Sequence, residues 1–425
     1  MKVMVIGSGG REHVIIKKLK ENPQIQTIYA LPGNGGIAND AVCVNIGVKD
    51  IDAQVRFAVE NQINYAVVTP DDPLVLGAVD RLTEAGIPCF GPTQRAAMIE
   101  GSKVFAKELM KKYGIPTADY ETFDNADAAM DYIRAKNRYP VVIKADGLAL
   151  GKGVLICENM QQAADGIKEI MLDKKFGASG NRVVVEEYLS GPEVSVLAFT
   201  DGKTLIPMIS SMDHKRSGDF DTGLNTGGMG TIAPNPYYTK EIAQECVKTI
   251  FLPTVRAMNA EGRTFKGCLY FGLMLTKNGP KVIEYNCRFG DPEAQVVLPL
   301  LNEDLFTIMR AVTDGTLSQT SVTFRNSHAV CVIMASQGYP QSYATGFPIS
   351  MDAQVKDNIF FAGVKSEDGI LKTAGGRVLG VTAVANTAEK AMQSAYEAVE
   401  HIHFENAFFR HDIGAKACAA YKKSE

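Results

Sequence analysis

The chain has 425 residues, 46% of them hydrophobic and 22% charged, with a net charge of −4. These values suit a folded chain of two or three domains and give no reason to expect a nucleic-acid surface. No apolar run approaches the ~18 residues of a membrane span. The chain opens directly into a strand rather than a signal peptide, and its eight cysteines are scattered without a Cys-x-x-Cys pair. Buried thiols in a reducing cytoplasm are the expectation, with no disulfide frame and no zinc site.

Lys2-Val-Met-Val-Ile6 is a β-branched run, followed by Gly7-Ser-Gly-Gly-Arg-Glu-His13 and a helical stretch carrying Ile15, Ile16 and Leu19. Further strands over residues 27–31 and 65–69, separated by helices, predict a parallel α/β domain over residues 1–101. The dinucleotide fingerprint G-x-G-x-x-G is not met, because position 12 is Glu. The second strand leads into Leu31-Pro-Gly-Asn34 and not into an acidic residue, which disfavours an NAD-linked oxidoreductase. The loop still offers backbone N–H groups to a phosphate or carboxylate, or makes a tight turn with no ligand.

Glu100-Gly-Ser-Lys103 opens a helix with Phe105, Leu109 and Tyr113 on one face, Ser102 as N-cap and Gly114 as its stop. Lys103 in the first turn opposes the helix dipole and therefore serves a ligand better than it serves the helix. Residues 139–157 place Lys144 on a strand that meets a loop with Gly147, Gly151, Lys152 and Gly153 before a second strand begins. This is not a Walker A loop; a glycine-rich hairpin of this kind closes backbone N–H groups over a triphosphate, or is a flexible turn with surface lysines. Residues 181–189 and 194–199 predict two more strands, joined through Ser190-Gly-Pro-Glu193.

The segment 210–231 combines Asp213, His214, Lys215 and Arg216 with Asn225-Thr-Gly-Gly-Met-Gly230. It is too long and too rich in glycine for a plain connector, and it reads as a substrate loop, with a solvated charge cluster as the alternative. A helix over 241–258 and a hairpin about Lys277-Asn-Gly279 lead to Val282-Ile-Glu-Tyr-Asn-Cys-Arg-Phe-Gly-Asp-Pro-Glu293. On a strand, Glu284, Asn286 and Arg288 share one face. A carboxylate and an amide oxygen suit a hard cation, and a guanidinium suits a phosphate or carboxylate. A second helix covers 303–313. From residue 326 a small α+β region follows, with strands over 328–335 and 373–383 and a helix presenting Ala391, Ala395, Ala398 and Ile402. Arg377, beside two glycines, is a candidate anion contact, whereas His401-Ile-His403 reads as a helix end and not as a metal site.

Taken together, GSGGREH, PGN, EGSKVFAK, VVIKADGLALGKGV, VVVEEYLSGPEVSV, DHKR…NTGGMG, EYNCRFGDPEAQ, GGRVLGV and FRHDIG resemble the ATP-grasp superfamily. Within it they are similar to the phosphoribosylamine–glycine ligase family over nearly the whole chain, with DHKR…NTGGMG and NCRFGDPE the most specific. The resemblance implies an N-terminal α/β domain (1–101), an ATP-grasp domain (102–325) with a mobile nucleotide clamp at about 120–190, and a C-terminal α+β domain (326–425). It implies a carbon–nitrogen ligase of purine biosynthesis that joins glycine to 5-phospho-β-D-ribosylamine, splits ATP to ADP and phosphate, and passes through a glycyl phosphate. Cytoplasmic location, a monomer or weak homodimer, and no nucleic-acid or membrane partner go with it.

The residue roles implied are as follows. Lys103, Lys144, Gly147, Gly151, Lys152 and Gly153 contact the ATP phosphates, and Glu186, Tyr188, Leu189 and Glu193 seat adenosine. Glu284 and Asn286 hold Mg²⁺ or Mn²⁺, and Arg288 orients the carboxylate and its acyl phosphate. Asp213 and Asp291 take the glycine ammonium. Lys215, Asn225, Thr226 and Gly227 face the acceptor, while Gly9, Gly10, Asn34 and Arg377 hold its phosphate. Asp71 stands where a glutamate is usual, one methylene shorter, which weakens a ribose contact there. Val14-Ile-Ile-Lys17 changes one helix face, and the strand 270–274 lacks the earlier glutamate that many ATP-grasp enzymes carry. A ligase or carboxylase acting on another purine intermediate would be expected to lack DHKR and NCRFGDPE, and a non-catalytic nucleotide-binding subunit would not need the full Lys144, Glu284, Asn286 and Arg288 set.

Overall fold

The computed structural model describes residues 1–149 and 153–424. Gly151 and Lys152 of the glycine hairpin lie outside the described residues. The first 90 residues build a five-stranded parallel sheet in the order Val42–Cys43, Thr27–Pro32, Lys2–Gly7, Tyr65–Val68, Cys89–Phe90. Its central strand is apolar throughout because helices cover both faces, as a parallel sheet requires. Glu12, the residue that breaks the dinucleotide fingerprint, folds back over the glycine loop and accepts from the Gly9 N–H at 2.6 Å and from Arg11 Nε at 2.7 Å.

The helix Lys103–Tyr113 follows, capped by Ser102 and stopped by Gly114 at φ +67, in keeping with the sequence expectation. A four-stranded antiparallel sheet comes next, in the order Tyr120–Phe123, Val183–Glu187, Val141–Ala145, Val154–Cys157. Helices Ala126–Lys136 and Met160–Ile167 close it into a small unit with its own core around Ala129, Ile133, Ile143 and Ile170. Asp146 docks this unit on the preceding helix, accepting from Ser102 Oγ at 2.8 Å and from the Val104 N–H at 3.2 Å.

A second antiparallel sheet, Leu205–Pro207, Glu193–Thr200, Gly267–Thr276, Gly279–Asn286, forms the opposite wall. Between Val282 and Glu284 its register slips, leaving Ile283 without a cross-strand partner. The helical segment predicted over 241–258 is Lys240–Cys246 and Leu252–Ala260 joined by a wider turn at Val247–Phe251.

The third sheet takes its strands from two distant stretches. Met212–Asp213 and Gly230–Ala233 bracket the predicted substrate loop, and they continue into His328–Ser336, Arg377–Ala385 and Ile359–Phe361. The helix Ala388–Val399 buries Ala391, Ala395 and Ala398 on this sheet, but Ile402 lies beyond its end in a short strand. Helix Leu305–Asp314 packs between the N-terminal sheet and the central one, in one core with Phe199 and Cys268: Tyr65 Oη donates to the Met309 carbonyl at 2.9 Å, and Thr313 Oγ1 donates to the Cys89 carbonyl at 2.9 Å. No helix among the described residues is long and apolar enough to cross a membrane, and all eight thiols are unpaired.

Three rings join these parts beneath the 284–288 strand. Phe289 lies 5.9 Å from Phe90 and 6.0 Å from Phe199, centroid to centroid, and is fully buried. Deleting a buried ring costs about 3–5 kcal/mol through lost transfer energy and the cavity left behind. Phe289→Ala is expected to destabilise the protein by about that amount in urea unfolding; a loss below about 1 kcal/mol would show that the rings do not anchor the motif.

Candidate functional site

The three antiparallel sheets, with Arg11 and Asp71 of the N-terminal region, enclose a cavity of about 1450 Å³. Its walls include Lys103, Lys144, Gly153, Glu186, Tyr188 and Leu189 on the clamp side and Glu193, Glu284 and Asn286 on the central sheet, with Arg288 two residues past the end of the Gly279–Asn286 strand. Asp71, Asp213, Lys215, Asn225, Thr226, Gly227, Asp291 and Arg377 complete the set of predicted residues that meet there. As the alternation requires, Tyr285 and Cys287 are buried on the other face.

Lys144 is a buried cation. It pairs with Glu186 and donates to the Ile283 carbonyl at 3.0 Å, the group that the register slip leaves without a strand partner. Lys107, one helical turn after Lys103, reaches the other oxygen of Glu186 at 2.5 Å. Burial works to raise the Glu186 pKa, but Lys144 and Lys107 outweigh it and keep the carboxylate ionised. Glu186, expected to seat adenosine, is therefore in this structure the counter-charge of two lysines. Lys103 Nζ donates to the Gly147 carbonyl at 2.6 Å, and burial depresses its pKa. Gly147 itself, at φ +100, shapes the hairpin from outside the cavity wall.

Further along, Glu284 faces Lys215 at 3.6 Å, and Lys215 also stands 3.4 Å from Glu193. Burial opposes ionisation of Glu284, but Lys215, Lys144 and Lys103 hold its pKa low. Arg288 donates to Glu100 Oε1 at 2.9 Å and to Asn286 Oδ1 at 3.4 Å, and the other Glu100 oxygen accepts the Cys287 N–H at 2.7 Å. Glu100 and Lys107 were not singled out from the sequence. Each had a signal there: Glu100 heads the EGSK run, and Lys107 shares the Lys103 face at i+4.

Two carboxylates sit beyond the guanidinium. Burial, then the negative charge of Glu293, pushes the Asp213 pKa well above the usual range, and Asp213 Oδ1 is buried without a hydrogen-bond partner. Glu293 accepts from Ser195 Oγ at 3.2 Å and from Tyr270 Oη at 3.1 Å. Asp291 is better supplied, with Arg377 at 3.3 Å and the Gln295 amide at 2.8 Å. Arg377 also donates to the carbonyls of Gly227 and Asp291 at 2.7 and 2.8 Å, and Tyr339 Oη accepts the Gly227 N–H at 3.0 Å.

Three groups expected at the acceptor phosphate have partners within the protein in this structure. The Gly9 N–H is taken by Glu12, and Gly10 packs against Gln295. The Asn34 amide donates to the Ser8 and Phe361 carbonyls and accepts from the N–H groups of Gly36 and Ile37, so its side chain is saturated within its own loop. From that loop it is Arg11 that lines the cavity.

A lysine-bearing antiparallel sheet closed over a second sheet that presents a carboxylate and an amide oxygen defines an ATP-grasp ligase. Residues 101–294 match the family model of the phosphoribosylglycinamide synthetase ATP-grasp (A) domain, and residues 1–100 and 329–416 match those of its N and C domains. The chain belongs to the phosphoribosylglycinamide synthetase family. The phosphoribosylamine–glycine ligase of Clostridium acetobutylicum is 45% identical over 97% of this chain and 99% of its own length. The crystal structure of that ligase from Thermotoga maritima has a TM-score of 0.86 at 33% identity, covering 97% of this chain and all of that one (100%). A biotin carboxylase domain from Hydrogenobacter thermophilus shares the fold at 17% identity, with a TM-score of 0.75 over 96% of this chain and 91% of that one.

His214, next to Asp213, offers a test of how the loop is packed. Its Nδ1 meets the Gly230 carbonyl at 3.2 Å and its Nε2 accepts the Gly414 N–H at 3.4 Å, an arrangement only the neutral ring satisfies. Burial, then the charge of Arg410, pushes its pKa from the ordinary 6.5 to about 4. The unfolded chain binds this proton first, so the stability it contributes is whole above pH 6.5 and is lost as pH falls towards 4. Wild-type stability is expected to drop between about pH 7 and about pH 5 by about 2 kcal/mol more than that of His214→Gln, read by urea unfolding. Parallel pH profiles would rule this out.

Proposed function

We propose that the chain ligates glycine to 5-phospho-β-D-ribosylamine, giving glycinamide ribonucleotide, ADP and phosphate, as an ADP-forming carbon–nitrogen ligase of purine biosynthesis. The observation that carries the proposal is the set of charges that line one cavity: lysines 103, 107 and 144, the Glu284 and Asn286 oxygens, Arg288, and Asp213 with its unpartnered buried oxygen. That set offers cations to a γ-phosphate, a guanidinium to a carboxylate and a carboxylate to an ammonium, which suits an amino acid.

Lys103 and Lys144 neutralise phosphate oxygens under the hairpin that contains Gly147 and Gly153. Tyr188, Leu189 and Glu193 border the adenosine. Glu284 and Asn286 offer hard oxygen donors on one face, which fit a divalent cation; no cluster of three or more His, Cys, Asp or Glu stands ready for one among the described residues. The cation, Mg²⁺ or Mn²⁺, when bound neutralises charge on the phosphates.

Arg288, held by Glu100, orients the glycine carboxylate for attack on the γ-phosphorus. The oxygen–phosphorus bond forms, the bond to the ADP oxygen breaks, and the product is glycyl phosphate. Asp213 and Glu293 hold the glycine ammonium at the other end; Asp291 is less suited because Arg377 already pairs with it. The ribosylamine nitrogen then attacks the acyl carbon and phosphate leaves, with Asn225, Thr226, Gly227, Lys215 and Asp71 around the acceptor and Arg377 and Arg11 near its phosphate. Charge neutralisation in a water-poor cavity supplies most of the acceleration.

Phosphate release from MgATP is expected to require both glycine and freshly prepared phosphoribosylamine; equal turnover without either would overturn the assignment. Arg288→Ala is expected to lower kcat by at least ~10²-fold, about 2.7 kcal/mol of transition-state stabilisation. In the variant Glu100 keeps the Cys287 N–H as a partner, and an unchanged melting temperature is the control that the protein still folds. A near-normal kcat would give Arg288 a purely structural part.

A further inference from the structure

Phe409-Arg-His-Asp-Ile-Gly414 takes no part in the chemistry above, yet Arg410 within it is the bulkiest fully buried side chain among the described residues. A guanidinium so enclosed needs its donors matched. Nε and Nη2 donate to the two Asp412 oxygens, both at 2.8 Å. Nη1 donates to the Arg216 carbonyl at 3.1 Å and to Asp221 at 3.0 Å. The neighbours add bonds to the same stretch: Asp412 accepts the Phe220 N–H at 2.9 Å, Asp219 accepts the His411 N–H at 2.8 Å, and the Gly414 N–H reaches His214.

All these partners outside the motif lie between residues 214 and 221, on the first half of the hairpin formed by Arg216–Gly218 and Thr222–Asn225. The roots of that hairpin, Lys215 and Asn225, line the cavity. Its tip is strained: Phe220 and Asp221 are consecutive non-glycine residues at φ 56 each, a region that bulky side chains avoid. Such backbone persists only where surrounding bonds over-determine it. The bonds to Arg410 and Asp412 are those bonds.

We infer that Arg410 is a positioning residue for the acceptor side of the site. The 409–414 segment is a strap that holds the substrate loop in place, so that Lys215, Asn225, Thr226 and Gly227 keep their register in the wall. This rests on the ligase reading for the identity of the acceptor, while the strap itself rests on the bonds just described. The ATP lysines stand on other elements and do not depend on it.

Asp221→Asn tests this by removing the carboxylate that pairs with Arg410 and Lys416 at the edge of the cavity, while Arg410 Nε and Nη2 keep both Asp412 oxygens. The variant is expected to raise KM for phosphoribosylamine about tenfold, as a small displacement of positioning groups does, with a smaller rise in KM for MgATP through Lys215, which faces Glu284 and Glu193, and the melting temperature unchanged. Amide exchange over residues 215–228 is expected to quicken. Arg410→Lys, which keeps the charge but loses the fork, is expected to act in the same direction. Unchanged KM and exchange in Asp221→Asn would overturn the inference, as would an equal rise in every KM with a fall in melting temperature. A wild-type protein inactive with glycine and phosphoribosylamine would overturn the ligase reading alone, and the exchange measurement would still decide the strap.

Discussion

The structure turns on the ammonium of Lys144, which belongs to the clamp sheet but donates to the Ile283 carbonyl of the central sheet. That carbonyl is available because the register slips between Val282 and Glu284. A bulge of this kind re-aims neighbouring side chains, and here Glu284, Asn286 and Arg288 face the cavity beside it. Lys107 and Lys144 share one carboxylate, Glu186, and Lys103 donates to the Gly147 carbonyl with Glu284 as its nearest counter-charge. Buried cations in excess of their counter-ions are costly unless an anion joins them. The cavity therefore carries an unmet demand for negative charge at the end where a triphosphate belongs.

The opposite end carries the reverse imbalance. Asp213 and Glu293 are near enough for each to oppose the other's ionisation, and an Asp213 oxygen is left without a partner. An ammonium group between them would relieve the burial and the repulsion together. Arg288 stands between the two ends, fixed from behind by Glu100 and from below by the Phe90, Phe199 and Phe289 rings. A substrate with a carboxylate at one end and an ammonium at the other is complementary to this polarity.

The C-terminal region completes the enclosure. Its sheet continues through the strands that bracket the substrate loop, Arg377 and Tyr339 hold Gly227, and the 409–414 strap fastens the hairpin tip. At the other side, the Phe361 N–H donates to Nδ1 of the buried His13, and Asn34 donates to the Phe361 carbonyl. Both bonds tie the N-terminal loops to the C-terminal sheet. Segments far apart in the chain thus share one cavity.

Short-range patterns decided what was legible in the sequence. Strand alternation set Glu284, Asn286 and Arg288 on one face, Ser102 and Gly114 bounded their helix, and glycine spacing marked the Lys144 hairpin, because each is a property of a few consecutive residues. What those residues pair with was not legible, since a partner hundreds of positions away leaves no local trace. Glu186 became a counter-charge, Asn34 spent its amide on its own loop, and the Gly9 N–H went to Glu12 for that reason. The Phe409–Gly414 run was visible as a motif, but only the tertiary structure set Arg410 against Asp221. The sequence by itself determined which groups face one surface and hence the class of chemistry; packing across the three sheets decided which of them remain free to meet a substrate.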